Sequence, residues 1–190
     1  RQESTYLRLT TKATNQDLFI TLQNDHARES LRQQVINGAY RLIDRRNNAG
    51  YDPSSNAINI FACGAILPNA ITASESLLEE GIYANVINVT GPGPLYNRYQ
   101  ECVHSTVRAK NIRTEFLSDV LEKTEQKMPI VTVVDGHPHT LAWIGGALQT
   151  KTLPLGVTRY GQSGNPDDLY KEYEIDSDSI MAAGFAALDL

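Results

Sequence analysis

Four short apolar runs, at residues 58–63, 83–89, 130–134 and 153–157, alternate along the chain with stretches whose apolar residues recur at helical spacing. That alternation constrains the fold more than any other feature of the sequence. A continuous apolar run too short for a buried helix fits a strand covered on both faces, and an intervening helix returns the chain so that the next strand runs parallel to the last. The pattern predicts an α/β protein of three layers, α/β/α, around a mostly parallel sheet. Residues 39–44, bounded by Gly38 and by the polar run from Asn47 to Asn56, supply a fifth strand. It is expected to lie antiparallel at an edge and to reach the next strand through a hairpin loop.

The helices are marked by their breakers. Residues 27–36 place Leu31, Val35 and Ile36 on one side and end at Gly38; residues 67–80 do the same with Ile71, Leu77 and Leu78 and stop at Gly81. Gly91-Pro-Gly-Pro94 is expected to be a non-helical turn, followed by amphipathic stretches at 96–107 and 115–125. Further helices are expected at 142–148, 167–173 and 177–188. Toward the start, residues 6–10 alternate as a strand would, and residues 17–25 are too poor in apolar groups for a compact unit and are expected to be a linker. The chain opens at Arg1 rather than Met and runs at once into this β-prone stretch, which suggests a longer polypeptide cut at a boundary. There is no internal repeat and no low-complexity tract.

With 41% apolar and 21% charged residues among 190, the chain can bury a core without staples. Its longest apolar run, 58–67, is far shorter than the ~20 residues of a membrane-spanning helix, and no signal peptide precedes it. A net charge of −5 without a Lys/Arg cluster argues against nucleic acid as a partner. Two cysteines, Cys63 in an apolar run and expected buried, and Cys102 in a helix, do not make a disulfide framework, so a reducing cytoplasm is expected.

Parallel sheets bind ligands at the carboxyl ends of their strands, which directs attention to the loops after Cys63, Val89, Val134 and Val157. The first has one glycine where a dinucleotide fingerprint needs three, and no Gly-Lys-Ser/Thr occurs anywhere, so nucleotide binding is disfavoured. Asp135-Gly-His-Pro-His-Thr140 is the most chemically loaded segment. His137 and His139 with Asp135 could hold a divalent ion, but no further His/Cys cluster completes a ligand set. Asp135 and Thr140 are read instead as turn and helix-capping groups, with the histidines lining an interface. A hydrolase built from Ser163 or Cys63 with a histidine lacks the Gly-x-Ser-x-Gly elbow. Trp143, beside Gly145 and Gly146, is read as core or interface packing.

The last third resembles a known family. Leu155-Gly-Val-Thr-Arg-Tyr-Gly-Gln-Ser-Gly164, then Asp168-Leu-Tyr170, Tyr173-Glu-Ile-Asp176 and Ser179-Ile180, is similar to the C-terminal signature of transketolases. Gly38-Ala-Tyr40 and Ile60-Phe-Ala-Cys-Gly64 resemble that family's edge strand and first strand end. Asp135-Gly-His-Pro-His139 resembles the loop of its homodimeric pyruvate dehydrogenase branch. The resemblance implies that residues 1–25 finish a preceding pyrimidine-binding domain and its linker, and that residues 26–190 form the C-terminal domain. It implies thiamine diphosphate and magnesium in the parent enzyme, held by upstream domains of the same chain, with no cofactor bound by this fragment. It also implies a 2-oxo acid substrate, a homodimer and a lipoyl acyltransferase core as partner, or, in the other branch, sugar transketolase chemistry. No catalytic, cofactor-binding or metal residue carries over. Asp135, His137, His139, Gly161 and Ser163 are expected to line an active-site approach or an interface. A self-sufficient α/β ligand-binding module, with a pocket near Gly64, Gly91 and His137, is the rival reading.

Overall fold

The computed structural model describes residues 13–21, 25–109 and 115–189. The strand expected at 6–10, and with it the end of a preceding domain, lies outside them. Among the described residues five strands form one sheet in the order β1-β3-β2-β4-β5: β1 (Tyr40–Ile43), β2 (Ala57–Cys63), β3 (Tyr83–Asn88), β4 (Ile130–Val134) and β5 (Thr152–Leu155). Strands β2 to β5 pair in parallel, and β1 pairs antiparallel with β3 at one edge. The expected hairpin does not form. β3 takes the place beside β1, so the polar run after β1 is a crossing rather than a two-strand turn.

Among the described residues seven α-helices accompany the sheet: α1 (Asp17–Thr21), α2 (Asp25–Asn37), α3 (Leu67–Glu79), α4 (Pro92–Ala109), α5 (His139–Leu148), α6 (Pro166–Glu172) and α7 (Ser177–Asp189). The expected linker at 17–25 therefore contains α1, whose Phe19 ring sits 5.6 Å edge-on from Tyr40. Ile36, read as apolar-face, is half exposed, because α2 packs through Leu31 and Val35 onto Tyr40 and Leu42.

The sheet's two faces carry separate cores. Ile58, Ile60, Val86, Val131 and Val133 meet α3 and α7 on the first face, while Phe61, Ile87, Ile130 and Val134 meet α4, α5 and residues 116–121 on the second. Every residue of β4 is buried, as expected for a central parallel strand. β5 tolerates Pro154 because it is an edge strand, where a missing ladder donor costs little.

Three local expectations fail for identifiable reasons. Pro92, Gly93 and Pro94 form the first turn of α4, where a missing N–H leaves no helical bond unmade. Residues 115–125 are not a helix but two short 3-10 turns, Glu115–Leu117 and Glu125–Lys127, separated by irregular chain. Cys63 is half-buried rather than buried. Gly38, by contrast, ends α2 as expected, at φ +104 in the left-handed region, and a Cβ there would lie 2.6 Å from the Gly91 carbonyl oxygen.

The irregular segment covers the second face with a polar seam. Arg41 of β1, Asn85 of β3 and Asn59 of β2 point to that face and converge on Glu125. The Arg41 guanidinium donates at 2.6 Å to Glu125 and at 2.8 Å to the Val120 carbonyl. Asn85 donates to Glu125 at 3.3 Å, the Tyr51 hydroxyl donates at 3.3 Å, and the Glu122 N–H donates at 2.8 Å. Asn59 donates to the Glu125 carbonyl at 3.1 Å. A buried carboxylate is tolerated only when paired and fully bonded. The need to deliver Glu125 to this seam explains why helical periodicity at 115–125 gives way.

Candidate functional site

Helix α3 follows β2 on the first face, whereas α5 follows β4 on the second, so the chain departs in opposite directions from the adjacent strands β2 and β4. Cys63 pairs with Val134 at this switch point. Gly64 follows β2 and Asp135 and His137 follow β4, so these residues stand at the strand ends where an open parallel sheet presents a ligand site.

The β4 loop is built by short-range bonds. Asp135, His137 and His139 are all exposed and Pro138 is buried. His137 Nδ1 accepts the His139 N–H at 3.3 Å, and the two rings meet edge-to-face at 4.6 Å between centroids. The ring thus meets one of the unpaired donors at the start of α5, which begins at His139 and not at residue 142. The cap expected from Asp135 and Thr140 does not form. The Asp135 carboxylate instead accepts from the Tyr170 hydroxyl of α6 at 3.1 Å. Partial burial first, then the adjacent Asp135 charge, pushes the Tyr170 phenol up to about 12.

The loop after β5 is sewn to this one. The Val157 N–H donates to the Gly136 carbonyl at 2.7 Å, and Gly156 lies so close that a Cβ would stand 2.6 Å from that oxygen and 2.8 Å from the Pro138 nitrogen. Farther out, Arg159 bonds the Glu172 carbonyl at 2.5 Å and pairs with its carboxylate at 3.0 Å. The same guanidinium covers the Tyr173 ring, whose hydroxyl donates to the Tyr160 carbonyl at 3.0 Å. Asn165 then caps α6 by accepting the Asp167 N–H, with Pro166 at its first position.

The residues singled out from sequence thus fall into two groups. Asp135, His137 and His139 share one loop at the switch point; Gly161 and Ser163 lie in the second loop, exposed, and among the described residues Ser163 forms no hydrogen bond with a histidine. A serine-histidine pair therefore has no geometry here. Among the described residues no three His, Cys, Asp or Glu side chains group to hold a metal ion. Asp135 and the two histidines thus do not come together as a metal centre, and among the described residues this loop offers no side-chain set fitted to a magnesium-bound diphosphate. Gly91 does not open a pocket either. Its N–H donates to the Gly38 carbonyl at 3.1 Å, closing that turn against α2. Among the described residues, cavities of about 330 and 460 Å³ lie on the β1 side, around Arg41 and Arg46. Tyr170 and Gly156 were missed from sequence because their partners are 35 and 20 residues away and nothing local marks them.

Comparison with known proteins agrees with this architecture. The family described as the transketolase-like TK C-terminal domain matches residues 38–176. No curated protein matches the chain in sequence. A transketolase variant from Pichia stipitis, solved with xylulose 5-phosphate, superposes at a TM-score of 0.54 with 17% identity over 83% of this chain and 19% of its own. Transketolase from Leishmania mexicana gives 0.51 at 17% identity, again over 83% and 19%. A split-gene transketolase, solved as an inactive beta4 tetramer, gives 0.50 at 16% over 82% and 43%. At such identities the likeness is one of fold. The chain spans less than half of the length of each of these relatives.

Proposed function

This chain belongs to the transketolase-like C-terminal domain family, and from that premise we propose that it is the C-terminal lobe of a thiamine diphosphate enzyme, supporting subunit contacts while other domains carry the chemistry. The observation that carries the reading is the strand-end site itself. In a family of catalytic proteins, the switch point of this chain offers two exposed imidazoles and an Asp135 already bonded to Tyr170, and among the described residues no nucleophile is paired to a base there. The cofactor and its metal are assigned to upstream domains of the parent, which functions as a homodimer.

Within the family we assign the pyruvate dehydrogenase branch. Asp135, His137 and His139 in the β4 loop support that choice, and a lipoyl acyltransferase core would then receive the acyl group in a reducing cytoplasm. Sugar transketolase is the second reading, favoured by the identity of the similar folds. Two assays on the parent protein separate them: thiamine-dependent decarboxylation of pyruvate with an artificial electron acceptor, and ketol transfer from xylulose 5-phosphate. Turnover of pyruvate alone is the expected result, and ketol transfer alone would move the chain to the sugar branch. Calorimetry of the 190-residue chain with thiamine diphosphate and magnesium is expected to give no heat of binding. Saturable binding there would overturn the assignment of the cofactor to other domains and support the ligand-binding module.

A further inference from the structure

We infer that Asn37 is a latent site of spontaneous deamidation, the conversion of its side-chain amide to a carboxylate, and that its contact with Asp119 sets the rate. Asn37-Gly38 is the only Asn-Gly pair in the sequence. The reaction needs no enzyme. The Gly38 backbone nitrogen attacks Cγ of Asn37 and gives up its proton, a five-membered imide closes, and the amide nitrogen leaves with that proton as ammonia. Water then opens the imide at either carbonyl, giving aspartate or, through the side chain, isoaspartate. Glycine hinders this step least, since no Cβ stands beside the attacking nitrogen. None of it depends on the reaction that the parent catalyses.

The fold holds the two reacting groups apart. Asn37 is the last residue of α2 and half-buried, and Gly38 is buried. The Gly38 N–H donates to the Val35 carbonyl and the Ala39 N–H to the Gln34 carbonyl, each at 3.2 Å, so attack requires the end of the helix to open. The amide is held at both ends as well. Its Nδ2 donates to the Asp119 carboxylate at 2.9 Å, and its Oδ1 accepts from Gln33 Nε2 at 3.2 Å. An ionised carboxylate only accepts, which fixes the end of the amide that faces Asp119. Of the two ties, that to Asp119 is the stronger, being shorter, charge-assisted and part-buried. Asp119 is itself paired with Arg98 at 3.3 Å. Deamidation reverses the contact: a carboxylate at position 37 offers no donor, so two carboxylates meet where a hydrogen bond had been and share one guanidinium. That bond joins residues 82 apart, tying α2 to the irregular segment over the second face. Isoaspartate adds a backbone methylene beside Gly38 too, where a Cβ would already lie 2.6 Å from the Gly91 carbonyl oxygen.

The test incubates the full parent protein in mildly alkaline buffer and follows, in digests, the mass gain of the peptide that contains residue 37. Asp119→Ala should deamidate there roughly ten-fold faster than the unsubstituted protein, as expected on losing a hydrogen bond to a charged acceptor. Asp119→Asn, whose amide oxygen still accepts, should stay nearer the unsubstituted rate. Unfolding the unsubstituted protein in urea should also speed conversion, again by roughly ten-fold or more. Asn37→Asp should melt lower than the unsubstituted protein and regain most of the loss when Asp119→Asn is added, a comparison that tests the contact even where Asp119→Ala fails to fold. Equal rates in Asp119→Ala and the unsubstituted protein, equal rates folded and unfolded, or no recovery in the double variant would each overturn the inference.

Discussion

Glu125 and Asp135 lie on either side of β4 in sequence, yet the protein treats the two carboxylates in opposite ways. Glu125 has 1% of its side chain exposed and takes bonds from Arg41, Asn85, Tyr51 and the Glu122 N–H. Asp135 is exposed and takes one, from Tyr170. In the first region polar groups hold an irregular segment against the sheet, and each needs its partner because burial limits its access to solvent. In the second, hydrogen bonds restrain the backbone of two loops and leave the outward side chains free to meet something else. The contrast separates a polar group that holds the fold together from one that shapes a surface.

The largest test of that contrast is Glu125→Ala, which leaves the largely buried Arg41 without its 2.6 Å carboxylate partner. It should cost about 3–5 kcal/mol in chemical denaturation, whereas replacing the pair together, as Arg41→Met with Glu125→Leu, should cost clearly less than either change alone. A single substitution with little effect would place the seam outside the cooperative core. Next comes Gly156→Ala, where the added methyl meets the backbone of Gly136 and Pro138. We expect a loss of about 1–3 kcal/mol, with faster amide exchange at Val157 as the two loops part.

A smaller effect of opposite sign is expected from Thr132→Val. The Thr132 hydroxyl is buried in β4 without a hydrogen-bond partner among the described residues, so an isosteric apolar group should be neutral or stabilising by about 1 kcal/mol. Measured destabilisation would mean that the hydroxyl has a partner, such as a bound water. Smallest is Tyr170→Phe, expected to cost about 0.5 kcal/mol at neutral pH through its solvent-facing bond to Asp135. Its pH dependence is more telling. The folded phenol titrates near 12 against about 10 when unfolded, so above pH 10 the unfolded state releases a proton that the folded state retains. The contribution of Tyr170 is therefore present below pH 10 and lost as pH rises from 10 to 12. Thermal melts across that window should fall less steeply for Tyr170→Phe, and parallel curves would refute the coupling.

Much of this molecule was legible before its structure. The sequence marks β4 at its observed bounds and β2 within one residue, because strands buried on both faces are written as unbroken apolar runs. Gly38 and Gly81 marked helix ends through the conformation they permit. The site was half legible: Asp135, His137 and His139 stood out through local crowding, while Tyr170 and Gly156 matter only through partners distant in sequence. Residues 115–125 were misread since amphipathic spacing cannot reveal that Glu125 is required inside.

By itself, then, the sequence determined the kind of layer each segment joins and the turns between segments, since burial on one face or two and the reach of glycine and proline are local properties. Only the tertiary structure decided that β3 separates β1 from β2, that Glu125 faces Arg41 and that the loop of His137 is sewn to the loop of Tyr160. Those outcomes depend on pairings between distant segments, whose free energy exists only once the sheet has brought them into contact.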